Sequence, residues 1–253
     1  MSAAAFRPCV LIPIYDHGST IYRLARVLSG LAIPIYIVDD GSHEPTRAEI
    51  ARAAADFRLV RLARLARNSG KGAAVMLGLR LAREHGMTHT LQIDADGQHD
   101  AADATRFLER GVARPEALIL GQPLFDASVP KARRYGRALT NFWVCVETLS
   151  LAVNDTQCGF RLYPLEATCQ LIERASLPQR MAFDIAIVVR LAWQGVPVEN
   201  LPTRVAYPRG GVSHFDLWAD NVRISLTHAR LVFGMLLRLP QLIARRYLAR
   251  SSR

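Results

Sequence analysis

Short apolar runs alternate with stretches of helical periodicity through the first half of the chain. Residues 9–14 (Cys-Val-Leu-Ile-Pro-Ile) and 33–38 (Ile-Pro-Ile-Tyr-Ile-Val) predict two strands, and residues 59–65, 88–93 and 118–120 predict three more. Between them, residues 20–29, 45–56, 72–84 and 102–113 repeat apolar positions at the period of crossover helices. Strands apolar on both faces, alternating with helices, imply an α/β fold with a mostly parallel sheet covered by helices. In the second half, residues 134–151 predict a helix, 159–163 a strand, 181–193 a helix and 198–207 a strand. A loop with the adjacent glycines Gly210 and Gly211 follows, then a long arginine-bearing helix expected to bend or end near Pro240. There is no internal repeat and no linker-like stretch. The expected organisation is one domain over residues 1–215, with a basic amphipathic helical extension over 216–253.

With 253 residues, 50% of them apolar and 21% charged, the chain can bury a core without metal or disulfide. Disordered, collagen-like and disulfide-scaffold classes are excluded. Cys9, Cys145, Cys158 and Cys169 have neither CxxC spacing nor zinc-finger histidines, and are expected to be reduced thiols of a cytosolic protein. The formal net charge is +10, but 30 of the 32 basic residues are arginine, a skew of codon composition that weakens any inference to nucleic-acid binding. The distribution says more. From residue 221 onward there are seven arginines and no acid. No secretory signal is expected, because residues 1–6 lack a basic region and the apolar run after them breaks at Pro13. Residues 222–239 carry Arg223, His228, Arg230 and Arg238, too many charges for a bilayer span of roughly 20 apolar residues.

Acidic residues cluster where strands should end, which is where ligands sit in doubly wound folds. The second strand runs into Asp39-Asp40-Gly41-Ser42 and the fourth into Asp94-Ala95-Asp96-Gly97-Gln98-His99. Ser42 and Asp100 could simply cap helices. Asp94 and Asp96, two apart on extended backbone, put both carboxylates on one side, an arrangement suited to a hard divalent cation that keeps waters and binds phosphate. Asn68-Ser-Gly-Lys-Gly-Ala-Ala74 precedes a helix, where glycines allow close backbone approach and the helix N-terminus favours anions. It matches neither GxxxxGK[ST] nor GxGxxG, so a nucleotide hydrolase or dinucleotide oxidoreductase loses its main support, and a plain glycine turn remains the alternative.

In order, Pro13-Ile-Tyr15, Asp-Asp-Gly-Ser, the Asn-Ser-Gly-Lys-Gly segment and Asp-Ala-Asp-Gly-Gln-His resemble the family 2 glycosyltransferases with the GT-A fold. Asp155-Thr-Gln-Cys-Gly-Phe-Arg161 and Ala182-Phe-Asp-Ile185 look like segments of dolichyl-phosphate glucosyltransferases and polyprenyl-phosphate mannosyltransferases. The resemblance spans about residues 8–207. It implies an inverting transfer from a nucleoside-diphosphate sugar with Mg²⁺ or Mn²⁺ as cofactor. Pro13, Tyr15 and Asp40 would line the nucleoside pocket, with Asp40 accepting hydrogen bonds from the base and Asp39 supporting the turn. Lys71 would approach the base or the phosphates. Asp94 would hold the pocket or the sugar side, Asp96 would reach the metal, and Gln98 would sit beside it. A hydroxyl acceptor would need a general base, Asp155 or Asp184. A polyprenyl phosphate is already anionic and would draw instead on Arg133, Arg134, Arg161 and Arg209, with His214 near its phosphate or packed on Phe215.

Two departures bear on the acceptor: Ala186 replaces the usual Glu after Phe183-Asp184-Ile185, and the 207–215 loop lacks the glycine-serine-lysine pattern. Arginine usage points to a bacterium, and the expected enzyme is a hexosyltransferase acting on a lipid-linked acceptor, cytoplasmic and peripheral to the inner face of the membrane. A homodimer is open, and no nucleic-acid partner is expected. The alternatives are transfer to a hydroxyl of another lipid or polyphenolic carrier, and a non-catalytic sugar-nucleotide or membrane-binding protein that lost activity through Ala186. Along residues 217–239, spacings of seven and eight put Arg223, Arg230 and Arg238 on one helical side, the pattern of a helix lying in a membrane interface.

Overall fold

The computed structural model describes residues 5–125, 129, 131–206 and 215–251. Its elements are β1 (Pro8–Ile14), α1 (Gly18–Ser29), β2 (Ile35–Asp39), α2 (Thr46–Asp56), β3 (Val60–Arg64), α3 (Lys71–Glu84), β4 (His89–Ile93), α4 (Ala104–Ala113) and β5 (Leu118–Phe125), then α5 (Lys131–Thr148), β6 (Phe160–Pro164), α6 (Leu165–Arg174), α7 (Phe183–Gln194), β7 (Val198–Val205) and α8 (Leu217–Ser251). The strands form one seven-stranded sheet in the order β3-β2-β1-β4-β6-β5-β7. All neighbours are parallel except β6, which runs antiparallel to β4 and β5. This is the mostly parallel, helix-flanked α/β sheet that the sequence pattern predicts.

The period of two along β1 divides the core. Cys9 and Leu11 point into the layer with Val75, Leu79, Phe183 and Leu191, whereas Val10, Ile12 and Ile14 point into the layer with Ile21, Leu28 and Phe107. Each such fully buried apolar side chain contributes roughly 1.5–3 kcal/mol. Because β6 is antiparallel, it begins at the edge of the sheet where the parallel strands finish. The segment before it, residues 155–159, is thereby brought beside the end of β4, where Gly159 lies against Asp94.

Two elements differ from the sequence pattern. Helix α6 follows β6 with no connecting loop, and its buried side includes Thr168 and Cys169 beside Leu165, Leu171 and Ile172. A buried Thr and Cys conceal the apolar period, so this helix was not expected. Helix α8 does not stop at Pro240. That proline is exposed, so the carbonyl left without an N–H partner lies on the outer side of the helix.

Helix α8 is tied to α5 and α7. Thr227, His228, Leu231 and Met235 are buried, His228 Nδ1 lies 2.6 Å from Glu147 Oε1, and Trp193 Nε1 donates to the Glu147 carbonyl at 2.7 Å. Gly234 permits this approach: a Cβ there would come within 2.8 Å of the Trp193 ring. Arg238 stacks over the same ring, 5.0 Å from its centroid. No helix among the described residues is long and apolar enough to cross a membrane.

Candidate active site

The strand ends hold their acidic residues by hydrogen bonds to backbone. Asp39, at the end of β2, accepts from the Ser42 N–H at 2.8 Å and from Arg64 Nε at 2.6 Å. Its neighbour Asp40 accepts from Ser69 N at 2.7 Å and Gly70 N at 2.8 Å, one bond to each carboxylate oxygen. Burial raises the Asp40 carboxyl above the ordinary aspartate range, and those two N–H groups work against the shift. Each oxygen keeps a second lone pair, so Asp40 can still accept from a ligand while clamping the 68–70 loop. Gly70 has φ +104°, and a Cβ on it would meet the Gln179 carbonyl at 2.6 Å, so only glycine lets the loop turn into α3 here. Pro13 is buried in β1, and the Tyr15 ring lies edge-on to His43 with 6.2 Å between centroids.

Lys71, the first residue of α3, joins two carboxylates from distant segments. Its Nζ lies 2.6 Å from Asp94 Oδ2 and 2.8 Å from Asp184 Oδ2. Burial works against the ammonium charge, but Asp184 and Asp94 more than offset it and hold Lys71 above the ordinary lysine range. Asp94 is likewise held below the ordinary carboxylate range, with Lys71 overcoming burial. Gln92 Nε2 donates to Asp94 Oδ1 at 3.0 Å. A side chain on Gly159 would collide with the Asp94 carboxylate, so the glycine of Asp155-Thr-Gln-Cys-Gly makes room for it.

Asp96 is the contrasting member of the pair. It accepts only the Gln98 N–H, at 3.0 Å, and forms no ion pair among the described residues. Burial and then the charge of Asp94 push its carboxyl up. His99 stacks on Phe160 with 5.6 Å between centroids, and its buried Nδ1 has no hydrogen-bond partner. No group of three or more His, Cys, Asp or Glu among the described residues is spaced to hold a metal by itself. A cation that keeps several waters and binds substrate phosphates needs only one or two carboxylates, and Asp96 fits that demand.

On the far side of β6, Asp155 accepts from Gln157 N at 2.8 Å and Cys158 N at 2.7 Å, and Arg137 Nη1 lies 2.6 Å from its other oxygen. Arg134, Arg137 and Asp155 line a small cleft of about 210 Å³ with Phe125 and Asn154. Arg161 does not face an acceptor. It is fully buried, and its guanidinium donates to the carbonyls of Cys158 at 2.7 Å, Thr156 at 3.1 Å and Asp184 at 3.3 Å. It also lies 3.3 Å from Asp184 Oδ1, so it holds the 155–159 segment to the start of α7. Arg133 lies in α5, with its side chain outside the described residues, as Arg209 and His214 are in full.

The family model of glycosyl transferase family 2 matches residues 9–168, more than half of the chain and all of the strand ends just described except the start of α7. The chain belongs to glycosyl transferase family 2. A dolichyl-phosphate beta-glucosyltransferase of Dictyostelium discoideum is 27% identical over 215 residues, 80% of this chain and 63% of that protein. The mouse enzyme of the same name is 28% identical over 66% of this chain and 54% of its own length. This chain thus spans between half and two thirds of those relatives. Among solved structures, glucosyl-3-phosphoglycerate synthase from Mycobacterium tuberculosis, in complex with Mn²⁺, UDP-glucose and phosphoglyceric acid, superposes with a TM-score of 0.64 at 15% identity, covering 92% of this chain and 79% of that one. A mannosyltransferase of Pyrobaculum calidifontis in complex with GDP-mannose and Mn²⁺ gives 0.58 at 17%, covering 98% and 76%.

In this family 2 chain the strand-end motifs converge on one region through Lys71, which links Asp94 to Asp184. Sequence reasoning missed Arg137, the cation on Asp155, and Gln92, the donor to Asp94. Arg137 could have been found from its place on the predicted helix 134–151, one turn beyond Arg134. Gln92 carries a signal of its own, an amide inside an otherwise apolar strand.

Proposed function

We propose that this chain is an inverting hexosyltransferase that takes a sugar from a nucleoside diphosphate and passes it to a lipid-linked phosphate, with Mg²⁺ or Mn²⁺ as cofactor. The observation that carries this reading is the uneven charge balance at the end of β4. Asp94 and Asp184 share Lys71, while Asp96 beside them is half-buried without a cationic partner among the described residues. The Mn²⁺ and nucleotide sugars bound to the two solved neighbours support the same assignment. Asp96 would hold the ion, with Gln98 adjoining. When bound, such an ion neutralises charge on the departing diphosphate.

The chain's own groups divide the remaining work. Asp40 and the loop it clamps, with Pro13 and Tyr15, would bind and orient the nucleoside. Lys71 fixes Asp94 on the sugar side. Both candidate general bases are committed to cations, Asp155 to Arg137 and Asp184 to Lys71 and Arg161. Such a site suits a nucleophile that is already anionic, and the dolichyl-phosphate relatives support a lipid phosphate. Arg134 and Arg137, beside Asp155, would then receive the acceptor phosphate.

The test is metal-dependent turnover. Asp96→Ala should lower the rate roughly 10²-fold or more, the scale of losing one preorganised charge stabiliser, and EDTA should abolish wild-type activity. Full turnover in EDTA would remove the metal from the mechanism.

A lipid acceptor also calls for a surface at the membrane, approached from the cytoplasm. Tyr135, Leu139, Phe142 and Trp143 recur at helical spacing on the exposed side of α5, and Leu226, Phe233 and Leu237 are exposed on α8. Basic residues beyond Pro240 add about 1 kcal/mol each near an anionic surface. Deleting residues 240–253 should weaken sedimentation with anionic vesicles at low salt while donor hydrolysis persists. Undiminished sedimentation of the truncated chain would dissociate the tail from membrane binding.

A further inference from the structure

Behind the 67–69 loop, the 176–182 segment and helices α7 and α8 enclose a cleft of about 950 Å³. Arg67, Arg180, Arg190, Arg223 and Arg230 line it, and among the described residues no acidic side chain does. Arg223 is paired with Asp220 at 2.9 Å, and Arg180 reaches only the Asn68 side-chain oxygen, at 3.4 Å. Among the described residues, Arg67, Arg180, Arg190 and Arg230 form no ion pair. The Nε of Arg190 is buried with no hydrogen-bond partner, and burial, aided by the charge of Arg238, lowers its pKa.

The buried guanidinium of Arg161, by contrast, donates to three carbonyls. Converging like charges around a partly desolvated cavity are costly without a counter-charge. The guanidinium fork also matches phosphate oxygens in bidentate fashion. We propose that this cleft is a second binding site, for a phosphate-bearing anion, either a soluble diphosphate or the headgroup of an anionic lipid, with Arg190 and Arg230 among its ligands. It goes beyond the donor assignment: the cleft borders that region at the 67–69 loop and the start of α7, but among the described residues Arg190 and Arg230 form no side-chain hydrogen bond or ion pair with the residues assigned to the donor, so either can fail without the other.

The experiment compares three full-length proteins: wild type, the double variant Arg190→Gln/Arg230→Gln, and a charge-matched control, Arg23→Gln/Arg26→Gln, altered on the exposed side of α1. Inorganic pyrophosphate is titrated by calorimetry in EDTA, and vesicles of phosphatidylglycerol are compared with phosphatidylcholine by sedimentation. Wild type and control should bind alike, and the double variant about tenfold or more weakly, the scale of one lost hydrogen bond to a charged group. Weakening toward pyrophosphate identifies a soluble ligand, and weakening toward phosphatidylglycerol vesicles alone identifies a headgroup. Equal binding of both probes by all three proteins overturns the proposal, as does failure of the wild type to bind either.

Discussion

At the ends of β2 and β4, the carboxylates other than Asp96 are held by the protein's own groups: Asp39 by Arg64, Asp94 by Lys71, which also pairs with Asp184 of α7, and Asp40 by two backbone N–H groups. Between α7 and α8, across the 67–69 loop, five arginines converge, and among the described residues only Arg223 has a carboxylate. Both regions are built on the same layer of helices, so the difference is not one of fold. The first is a preorganised site, whose groups hold their positions before any ligand arrives. The second holds its charges apart and depends on what enters it.

The contrast can be broken most severely at Lys71. Lys71→Met leaves Asp94 and Asp184 without their shared cation, and breaking a buried pair in this way costs about 3–5 kcal/mol. A large fall in the denaturation midpoint, together with lost turnover, is expected. A variant as stable as wild type would mean that the two carboxylates are compensated some other way. Asp40→Ala should have an intermediate effect, raising KM for the donor roughly tenfold with little change in kcat, because a nucleoside contact is made equally in ground and transition states. A fall in kcat at constant KM would place Asp40 in the chemistry instead.

The smallest effect lies at the α5–α8 seam. Burial raises the Glu147 carboxyl above the ordinary glutamate range, with His228 working in the other direction. A folded-state pKa above the unfolded one means that the stability this group contributes is complete below about pH 4.5 and is lost as pH rises through the raised value. Glu147→Gln removes that dependence. The stability of wild type relative to the variant should therefore decline from pH 4.5 upward, measured by chemical denaturation at each pH. An advantage that grows toward neutral pH would show that the ion pair with His228 outweighs burial.

The strand ends were legible in the sequence because each motif is local: a β-run stops, and its carboxylates follow within a few residues. Asp39, Asp40, Asp94 and Asp96 needed no tertiary information to be found. Arg161 was equally visible as a letter, but its fate depends on the antiparallel placement of β6 and the start of α7, which bury its guanidinium among carbonyls. The partner of Asp155 was hidden for a similar reason, since Arg137 belongs to a helix on the other side of a loop. Helix α6 escaped because buried Thr168 and Cys169 interrupt its apolar pattern. The arginine spacing on α8 was correct as periodicity, yet a period cannot say what the stripe faces. Arg230 lines the cleft and Arg238 covers Trp193, while Leu226, Phe233 and Leu237 are left outside.

Lys71 carries one more consequence. Its two carboxylates come from positions 23 and 113 residues further along the chain. Contacts of long sequence separation form late, since loop closure must precede them. The lysine bridge is therefore absent from any nascent or truncated chain that ends before α7, and a polypeptide holding all the strand-end motifs through β4 would still lack a finished centre. On the proposed function, donor turnover would double as a readout of complete folding, since Asp184 in the last third of the protein must dock on Lys71 in the first.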